Sequence, residues 1–334
     1  MKASDDSQRG LSLENQKTAA IVVNWNQPEV TIECLLSLAA IRGIPVQAVV
    51  VDNASTDDSI DRIARALKAA AISFRILERD FSNRQTYHCP EPANPDCVAV
   101  IIASDANLGY AGGNNLGMAY AAQTDTKFIW ILNNDTVVAS SALGFLLADY
   151  ARAPRIFGTA LQDYHGSNEQ PSAGWIHPLM FRIGLFNRFT SAGREPRYKI
   201  NYIVGASLFL PTQAYREAGG MEEGYFLYCE EGEWCLRLIK SGYSLGVCRD
   251  AIVKHKGSVS TGVASPLQEY YMCRNSLYMY ERHFPLYLPW AALVILFYRV
   301  PAILLGRHSR KSGRLIAAGR GIYDYLGRRR GNTY

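Results

Sequence analysis

The sequence predicts an α/β fold with a doubly wound sheet, and three observations carry the prediction. Short apolar runs of β-formers recur, as strands buried on both faces require: AAIVV from Ala19, AVVV from Ala48, VAVII from Val98 and FIWIL from Phe128. Segments with apolar residues at helical spacing alternate with them, the β-α-β-α order of a wound sheet. Each run also ends in polar residues, and open α/β sheets bind ligands at the carboxyl ends of their strands.

Taken in order, the first strand ends in Asn24-Trp25-Asn26, and Pro28 opens a helix with Ile32, Leu35, Leu36 and Ala39 on one face. The second ends in Asp52-Asn53 and leads to a helix carrying Ile60, Ile63, Ala64 and Leu67. A third strand, 74–77, precedes residues 79–97, which have no period and read as a long surface excursion. His88, Cys89 and Cys97 there lack a recognised zinc spacing and read as ordinary loop side chains. Next comes Asn107-Leu108-Gly109-Tyr110-Ala111-Gly112-Gly113-Asn114-Asn115. It is neither a P-loop nor a dinucleotide fingerprint. Its glycines let backbone approach a ligand, and the helix expected over 115–122 offers amide donors to phosphate.

The organising stretch is FIWILNNDTVV, Phe128 to Val138, which delivers Asn133, Asn134 and the Asp135 carboxylate into a turn. Further on, a strand after Gly205-Ala206-Ser207 ends at Pro211, and Cys229-Glu230-Glu231-Gly232-Glu233-Trp234 opens a helix closed by Gly242. Glu231, Trp234, Cys235 and Leu238 fall at i, i+3, i+4 and i+7 on the apolar stripe, whereas Glu230 and Glu233 share a side with Arg237. Glu231 is therefore the carboxylate expected to face a cleft. Partly desolvated beside Trp234, it would have a raised pKa, which suits proton abstraction from a hydroxyl.

A chain of 334 residues fits one large α/β domain with an appendage, or two modest domains. Seven scattered cysteines, an odd number with no C-x-x-C pair, point to reduced thiols rather than a disulfide framework. Residues 1–18 are polar and carry no apolar run of the secretory kind. The formal net charge of +5 is uneven: from Arg299 onward nine basic residues face only Asp324, or +8, so the preceding residues sum to −3. Just before this tail, FPLYLPWAALVILFYRVPAILLG (284–306) is about long enough to cross a bilayer. Pro285, Pro289 and Pro301 interrupt it and Arg299 lies inside, so a hairpin or in-plane amphipathic element is expected. The arginines and lysine after it would each add on the order of 1 kcal/mol at an anionic leaflet. No nucleic-acid module accompanies them, so nucleic acid is not an expected partner.

In order and spacing, IVVNWNQ, VVVDNASTDDS, NLGYAGGNN, WILNNDTVV, VGASLFLPTQAYREAGGMEEGYFLYCEEGEWCLRLIKSGY, KHKGS and YYMCRNSLYMYERHFP resemble family 2 glycosyltransferases of the GT-A fold, in particular bacterial rhamnosyltransferases, over residues 19–285. The resemblance implies a mixed sheet flanked by helices. It also implies a polar extension at 1–18, a nucleotide-sugar half at 19–138, an acceptor half at 139–283 and a membrane-associating helical segment at 284–334.

By the same resemblance, Asn24, Asn26, Asp52 and Asn53 would hold base and ribose, with Asp52 accepting from a pyrimidine N3–H. Asn107, Gly109, Gly112, Gly113, Asn114, Asn133 and Asn134 would complete the donor site. Asn133-Asn134-Asp135 stands where the family has D-x-D, so Asp135 would hold Mg²⁺ or Mn²⁺, and His255 would be a further ligand or a structural histidine. Glu231 would be the general base, with Glu230 the other candidate, while Gly205, Ala206, Glu233 and Trp234 would serve the acceptor. Glu233 replaces the family's usual Asp. Arg274, paired with Asn275, would contact the diphosphate or brace the acceptor loop. The implied activity is inverting transfer of rhamnose from dTDP-rhamnose to a lipid-linked or polysaccharide acceptor, in cell-surface glycan synthesis at the cytoplasmic face of the inner membrane. UDP-galactofuranose, UDP-glucose or UDP-N-acetylglucosamine as donor, and a silent nucleotide-binding scaffold subunit, are the other readings.

Overall fold

A ten-stranded mixed sheet organises the protein in the computed structural model, which describes residues 16–91, 94–166, 168–179, 182–186 (backbone only), 199–257, 265–305 and 311–334. Most of the polar N-terminal stretch, with Pro92, Ser258, Gly306, Arg307 and Arg310, lies outside the described residues.

The first half runs β1 (Thr18–Asn24), α1 (Pro28–Ala39), β2 (Val46–Asp52), α2 (Ser59–Ala69), β3 (Phe74–Glu78), β4 (Asn83–Tyr87), β5 (Cys97–Ala103), α3 (Gly109–Ala122), β6 (Phe128–Asn133) and β7 (Thr136–Val138). The second runs α4 (Ala142–Arg152), β8 (Ile156–Asp163), β9 (Ala173–His177), β10 (Arg182–Phe186), β11 (Tyr202–Ile203), β12 (Ser207–Pro211), α5 (Thr212–Ala218), α6 (Glu230–Lys240), β13 (Leu245–His255) and α7 (Pro266–His283). Last come α8 (Leu288–Val294), α9 (Val300–Leu305) and α10 (Lys311–Leu326).

The strand order is β4-β3-β5-β2-β1-β6-β12-β8-β13-β7, and a small antiparallel sheet, β10-β9-β11, stands beside it. From β3 to β6 the pairings are parallel, so the polar ends of β1, β2, β5 and β6 share one edge. β12 then runs antiparallel to β6, and Trp130 of β6, fully buried, donates from Nε1 to Ser207 Oγ of β12 at 2.9 Å. Alternate residues of each strand face opposite layers, as strand geometry requires. Ala20 and Val22 meet α1, α2 and α4 on one side, while Ile21, Val49 and Val51 meet α3, α5 and α6 on the other.

Four sequence expectations are corrected. The buried stripe of α1 is Thr31, Cys34, Leu35 and Leu38, leaving Leu36 exposed, because the sheet receives the face one step round from the predicted one. The excursion at 79–97 contains a strand: β4 pairs antiparallel with β3 at the sheet edge, and its exposed side chains explain why it shows no apolar period. Helix α3 starts at Gly109 rather than near 115, so the glycine run is helical. Its propensity cost of roughly 1 kcal/mol per glycine is offset by close packing: a Cβ on Gly113 would lie 2.9 Å from Val23 Cγ1, and one on Gly117 2.5 Å from Ile21 Cγ2. Finally, Pro285–Leu305 is one helical run of 21 residues rather than a hairpin. Pro289 sits in the first turn of α8, and the wide turn over Ile295–Arg299 admits Pro301 at the start of α9.

That run packs along its length through Ala291, Ile295 and Ile303, and exposes Leu286, Leu296, Phe297 and Leu305. Much of the basic tail is matched internally. Arg299 and Arg314 both grip Glu269 of α7, Arg328 pairs with Glu281, Arg329 with Asp324 and Arg330 with Glu222.

Because Gly117 seats α3 against β1 and β2, Gly117→Val forces Ile21 aside and is expected to destabilise by about 1–3 kcal/mol. Urea denaturation checks this as a lower midpoint at unchanged slope.

Candidate active site

At the shared edge of β1, β2 and β6 a cleft of about 500 Å³ opens, lined by Trp25, Asn53, Asn107, Gly109 and Tyr110 on one side and by Asn133, Asn134, Asp135 and His255 on another. Gly205, Ala206, Glu230 and Glu231 form the wall toward the second half, and Tyr271 and Asn332 close the far side. A shallower cavity of about 740 Å³ lies nearby, lined by Asp52, Ser55, Arg79, Asp80, Ser104 and Asp105.

Strand ends set the first wall. Asn24 is fully buried and donates to Asp52 Oδ2 at 2.8 Å, and Ser55 also donates to Asp52 from its amide and hydroxyl. Asn24 therefore orients Asp52 toward the shallower cavity rather than lining the cleft. Asn26 likewise acts on backbone, its Oδ1 accepting from the Thr56 amide at 2.8 Å. Asn53 donates to Asn107 Oδ1 and to the Gly109 carbonyl, both at 3.0 Å, tying the start of α3 to β2. Gly109 has φ +70°, and a Cβ there would meet the Phe226 carbonyl oxygen at 2.4 Å, so only glycine fits. Gly112, Gly113 and Asn114 do not reach the cleft. The glycines face Leu108 and Val23, and buried Asn114 donates to the Tyr110 carbonyl.

On the second wall, Asp135 is 6% exposed and its Oδ2 accepts from the Gly257 amide at 3.0 Å. Its Oδ1 lies 3.3 Å from His255 Nε2, which also stands 3.3 Å from Asn133 Nδ2. His255 Nδ1 meets Gln170 Oε1 at 2.9 Å. A carboxylate and an imidazole nitrogen facing each other are two donors that could hold a divalent cation, the carboxylate being the kind of ligand Mg²⁺ or Mn²⁺ takes. Among the described residues no third His, Cys, Asp or Glu joins them. Asn134 turns away to Thr31 and Gln27.

The third wall carries the acids. Tyr228 and Cys229 precede α6 in left-handed conformation, at φ +65° and +73°, as does Phe226 at +65°. Three such non-glycine residues are strained. Asn275 holds them, donating to the carbonyls of Tyr225, Leu227 and Tyr228 at 2.7–2.9 Å. Burial raises the Glu230 carboxyl well above the usual carboxylate range, and its neighbour Glu231 pushes it further. Burial also raises Glu231, but backbone amides and the Tyr202 hydroxyl, 3.1 Å from Oε1, pull it partway back. Of the pair, Glu231 is the one that accepts from a neighbouring side-chain hydroxyl. Tyr110 stands between the walls, donating to the Gly205 carbonyl at 2.8 Å. Burial and the charges of Glu231, Glu230 and Asp135 raise its hydroxyl.

Three predicted residues lie behind the cleft. Glu233 is fully buried among Arg237, Arg282 and His283. Burial works to raise its carboxyl, but these partners outweigh it and hold it low. Trp234 is also fully buried and donates to the Gly219 carbonyl. The reason is that α6 is covered twice, by the sheet and by α7, so its Glu230–Glu233 side is not solvent-facing. Arg274 makes the bracing contacts, donating to the carbonyls of Gly224, Tyr225 and Gly331 and to Thr333. Trp25, Tyr110, Gln170, Tyr202 and Asn332 are site residues that sequence reasoning does not assign. Trp25 and Tyr110 adjoin motif residues, whereas nothing local marks the others.

The chain is 27% identical over 184 residues to the low-salt glycan biosynthesis hexosyltransferase Agl10 of Haloferax volcanii, covering 52% of this chain and 57% of that protein. It is 27% identical over 184 residues to the N-acetylglucosaminyl-diphospho-decaprenol L-rhamnosyltransferase of Mycobacterium tuberculosis, covering 48% and 60%. The matched regions thus span under two thirds of either relative. Among solved structures, S. aureus TarS with UDP-GlcNAc superposes at TM-score 0.55 and 15% identity, covering 93% of this chain and 82% of TarS. The Pyrobaculum calidifontis mannosyltransferase PcManGT with GDP-Man and Mn2+ gives 0.54 and 11%, covering 92% and 86%. These likenesses establish the GT-A fold. The family model described as glycosyl transferase family 2 matches residues 19–207, more than half of the chain, and this protein therefore belongs to that family.

Proposed function

We propose that the protein is an inverting, metal-assisted glycosyltransferase that moves a sugar from a nucleotide diphosphate to an acceptor hydroxyl, with dTDP-rhamnose the favoured donor. The observation that carries the proposal is the meeting, in one cleft, of the Asp135–His255 pair on one wall and the Glu230–Glu231 pair, buried and half-buried, on another. In this reading the nucleoside lies toward Asp52 and the diphosphate lies past Asn107 and Gly109 to Asp135. Asp135 and His255 would hold a divalent cation, which when bound would offset charge on the departing diphosphate. Glu231, held through Oε1 by Tyr202, takes the acceptor proton, and attack proceeds from the face opposite the leaving group. Gly205 and Ala206 flank the acceptor entrance, while Glu233, Trp234 and Arg274 support these walls from behind.

The relatives' names support a rhamnosyl donor and a polyprenyl-linked acceptor, and the exposed apolar side of Pro285–Leu305 supports docking in the plane of a membrane. We therefore assign 19–283, completed at the cleft by Asn332, to catalysis and the helical run that opens 284–334 to the cytoplasmic membrane surface, with cell-surface glycan synthesis as the setting.

A panel of dTDP-rhamnose, UDP-galactofuranose, UDP-glucose and UDP-N-acetylglucosamine, each with a polyprenyl-diphosphate-linked sugar acceptor, tests the donor. Turnover of one donor is expected, with Glu231→Gln lowering it roughly 10²–10⁴-fold while nucleotide binding persists. Nucleotide binding without turnover of any donor would favour the scaffold reading.

Glu230 also makes a stability prediction. An acid whose folded pKa lies above its unfolded one binds extra proton when folded, so its contribution falls as pH rises from the unfolded value toward the folded one. Glu230→Gln removes that fall. Relative to wild type, its denaturation midpoint should improve as pH rises above the ordinary carboxylate value of 4.5, and level off once the folded carboxyl has ionised.

Membrane docking predicts that Phe297→Asp reduces co-sedimentation with phosphatidylglycerol-containing vesicles and leaves nucleotide affinity unchanged. Equal sedimentation of both proteins would remove this helix face from the interface.

A further inference from the structure

After β8, residues 168–170 run back along that strand, Glu169 bridging to Gln162, and from there the Gln170 side chain reaches His255 of β13. Gln170 is fixed there at three points. Its amide donates to the Leu161 carbonyl at 2.8 Å, its Nε2 donates to the His255 carbonyl at 3.0 Å, and its Oε1 faces His255 Nδ1 at 2.9 Å. The first two contacts determine the third. With Nε2 committed as donor to a carbonyl, Oε1 is the acceptor, so Nδ1 must carry the hydrogen. In the neutral ring Nε2 then bears the lone pair, and Nε2 is the atom that stands 3.3 Å from Asp135 Oδ1. Metal-ligating histidines almost always donate their other ring N–H in this way, which sets tautomer and ring orientation together.

We propose that Gln170 is a positioning residue for cation binding: by clamping both the ring and the backbone of His255, it presents Nε2 to a divalent ion shared with Asp135. The inference rests on the metal-assisted reading above and adds to it a residue outside every motif of the sequence. Gln170 touches neither donor nor acceptor, and its effect passes through His255 alone.

The test is Mn²⁺ affinity in the presence of UDP and, separately, dTDP, read by electron paramagnetic resonance of the free ion. The wild-type chain is compared with Gln170→Leu, Gln170→Glu, His255→Ala and the double variant Gln170→Leu/His255→Ala, each checked for an unchanged thermal midpoint. Gln170→Leu is expected to weaken Mn²⁺ binding by roughly 10–100-fold. Gln170→Glu, which still accepts from Nδ1–H, should recover most of that loss. In the double variant the Gln170 change should add nothing to His255→Ala, because the clamp has nothing left to hold. Full Mn²⁺ affinity in Gln170→Leu, or a loss that adds to that of His255→Ala, overturns the positioning role while leaving the metal reading intact. A wild-type chain that binds nucleotide but no Mn²⁺ overturns the metal reading itself, and the inference with it. If Gln170→Leu does not fold, Gln170→Glu and Gln170→Asn against His255→Ala carry the same comparison.

Discussion

The pairing of Thr136 with His255 between β7 and β13 is the constraint on which the cleft depends. Strand β6 lies in the middle of the sheet and β7 at its far edge, yet only Asn134 and Asp135 separate them in sequence. A connection that short cannot wander. The Lys256 amide donates to the Asp135 carbonyl and the Gly257 amide to its carboxylate, so the turn is stitched to the end of β13. A family 2 glycosyltransferase thereby obtains an acid and an imidazole from two distant segments, 122 residues apart when counted from Asn133 to His255, by strand register alone.

The opposite wall is built on a different principle. Helix α6 begins with two carboxylates in an apolar setting, after a turn containing three strained residues. Neither feature is stable alone. Asn275 and Arg274 offset the cost of the turn, because their buried donors satisfy carbonyls that it points inward. Glu233 repeats the pattern one turn later, where Arg237 donates to the Ala218 and Gly220 carbonyls as well as to the carboxylate. The acids in the cleft lack such partners. One buried oxygen each of Glu230 and Glu231 finds none among the described residues, and this difference separates Glu233, which holds the fold, from the pair we propose for proton transfer.

What is legible in the sequence follows from how local each signal is. Strand runs are readable because parallel strands are apolar throughout, and β1, β2, β5 and β6 begin and end close to the expected positions. The start of α3 is not, since Gly112 and Gly113 read as loop by propensity yet lie within the helix, packed where Leu108 and Val23 leave no space for side chains. Periodicity separates Glu231 from Glu233 but assumes that the side opposite the stripe meets water. With α7 covering that side, Glu230 is also buried at the cleft. The choice between the two alternatives for Arg274 depends on partners 50 and 59 residues away, beyond the reach of any local pattern. Asn332 and Gln170 carry no local signal at all.

The basic tail shows why charge counting alone misplaces a surface. Nine cations from Arg299 onward read as a free electrostatic arm, yet Arg299, Arg314, Arg328 and Arg329 pair with Glu269, Glu281 and Asp324 of this same chain. Their first effect is therefore structural. Arg314 of α10 and Arg328 just after it bind Glu269 and Glu281 and so seat α10 against α7, and α10 in turn delivers residues 331–334 to the cleft, where Arg274 and Arg320 hold Thr333 and Asn332 joins the wall. The exposed apolar side of Pro285–Leu305 belongs to the same packed unit, because Ala291, Ile295 and Ile303 share a core with Cys273, Leu277 and Ala318. A surface that docks through this helix is consequently coupled to the cleft by contiguous packing, with α7 as the common support that also carries Arg274 and Asn275 behind the acidic wall.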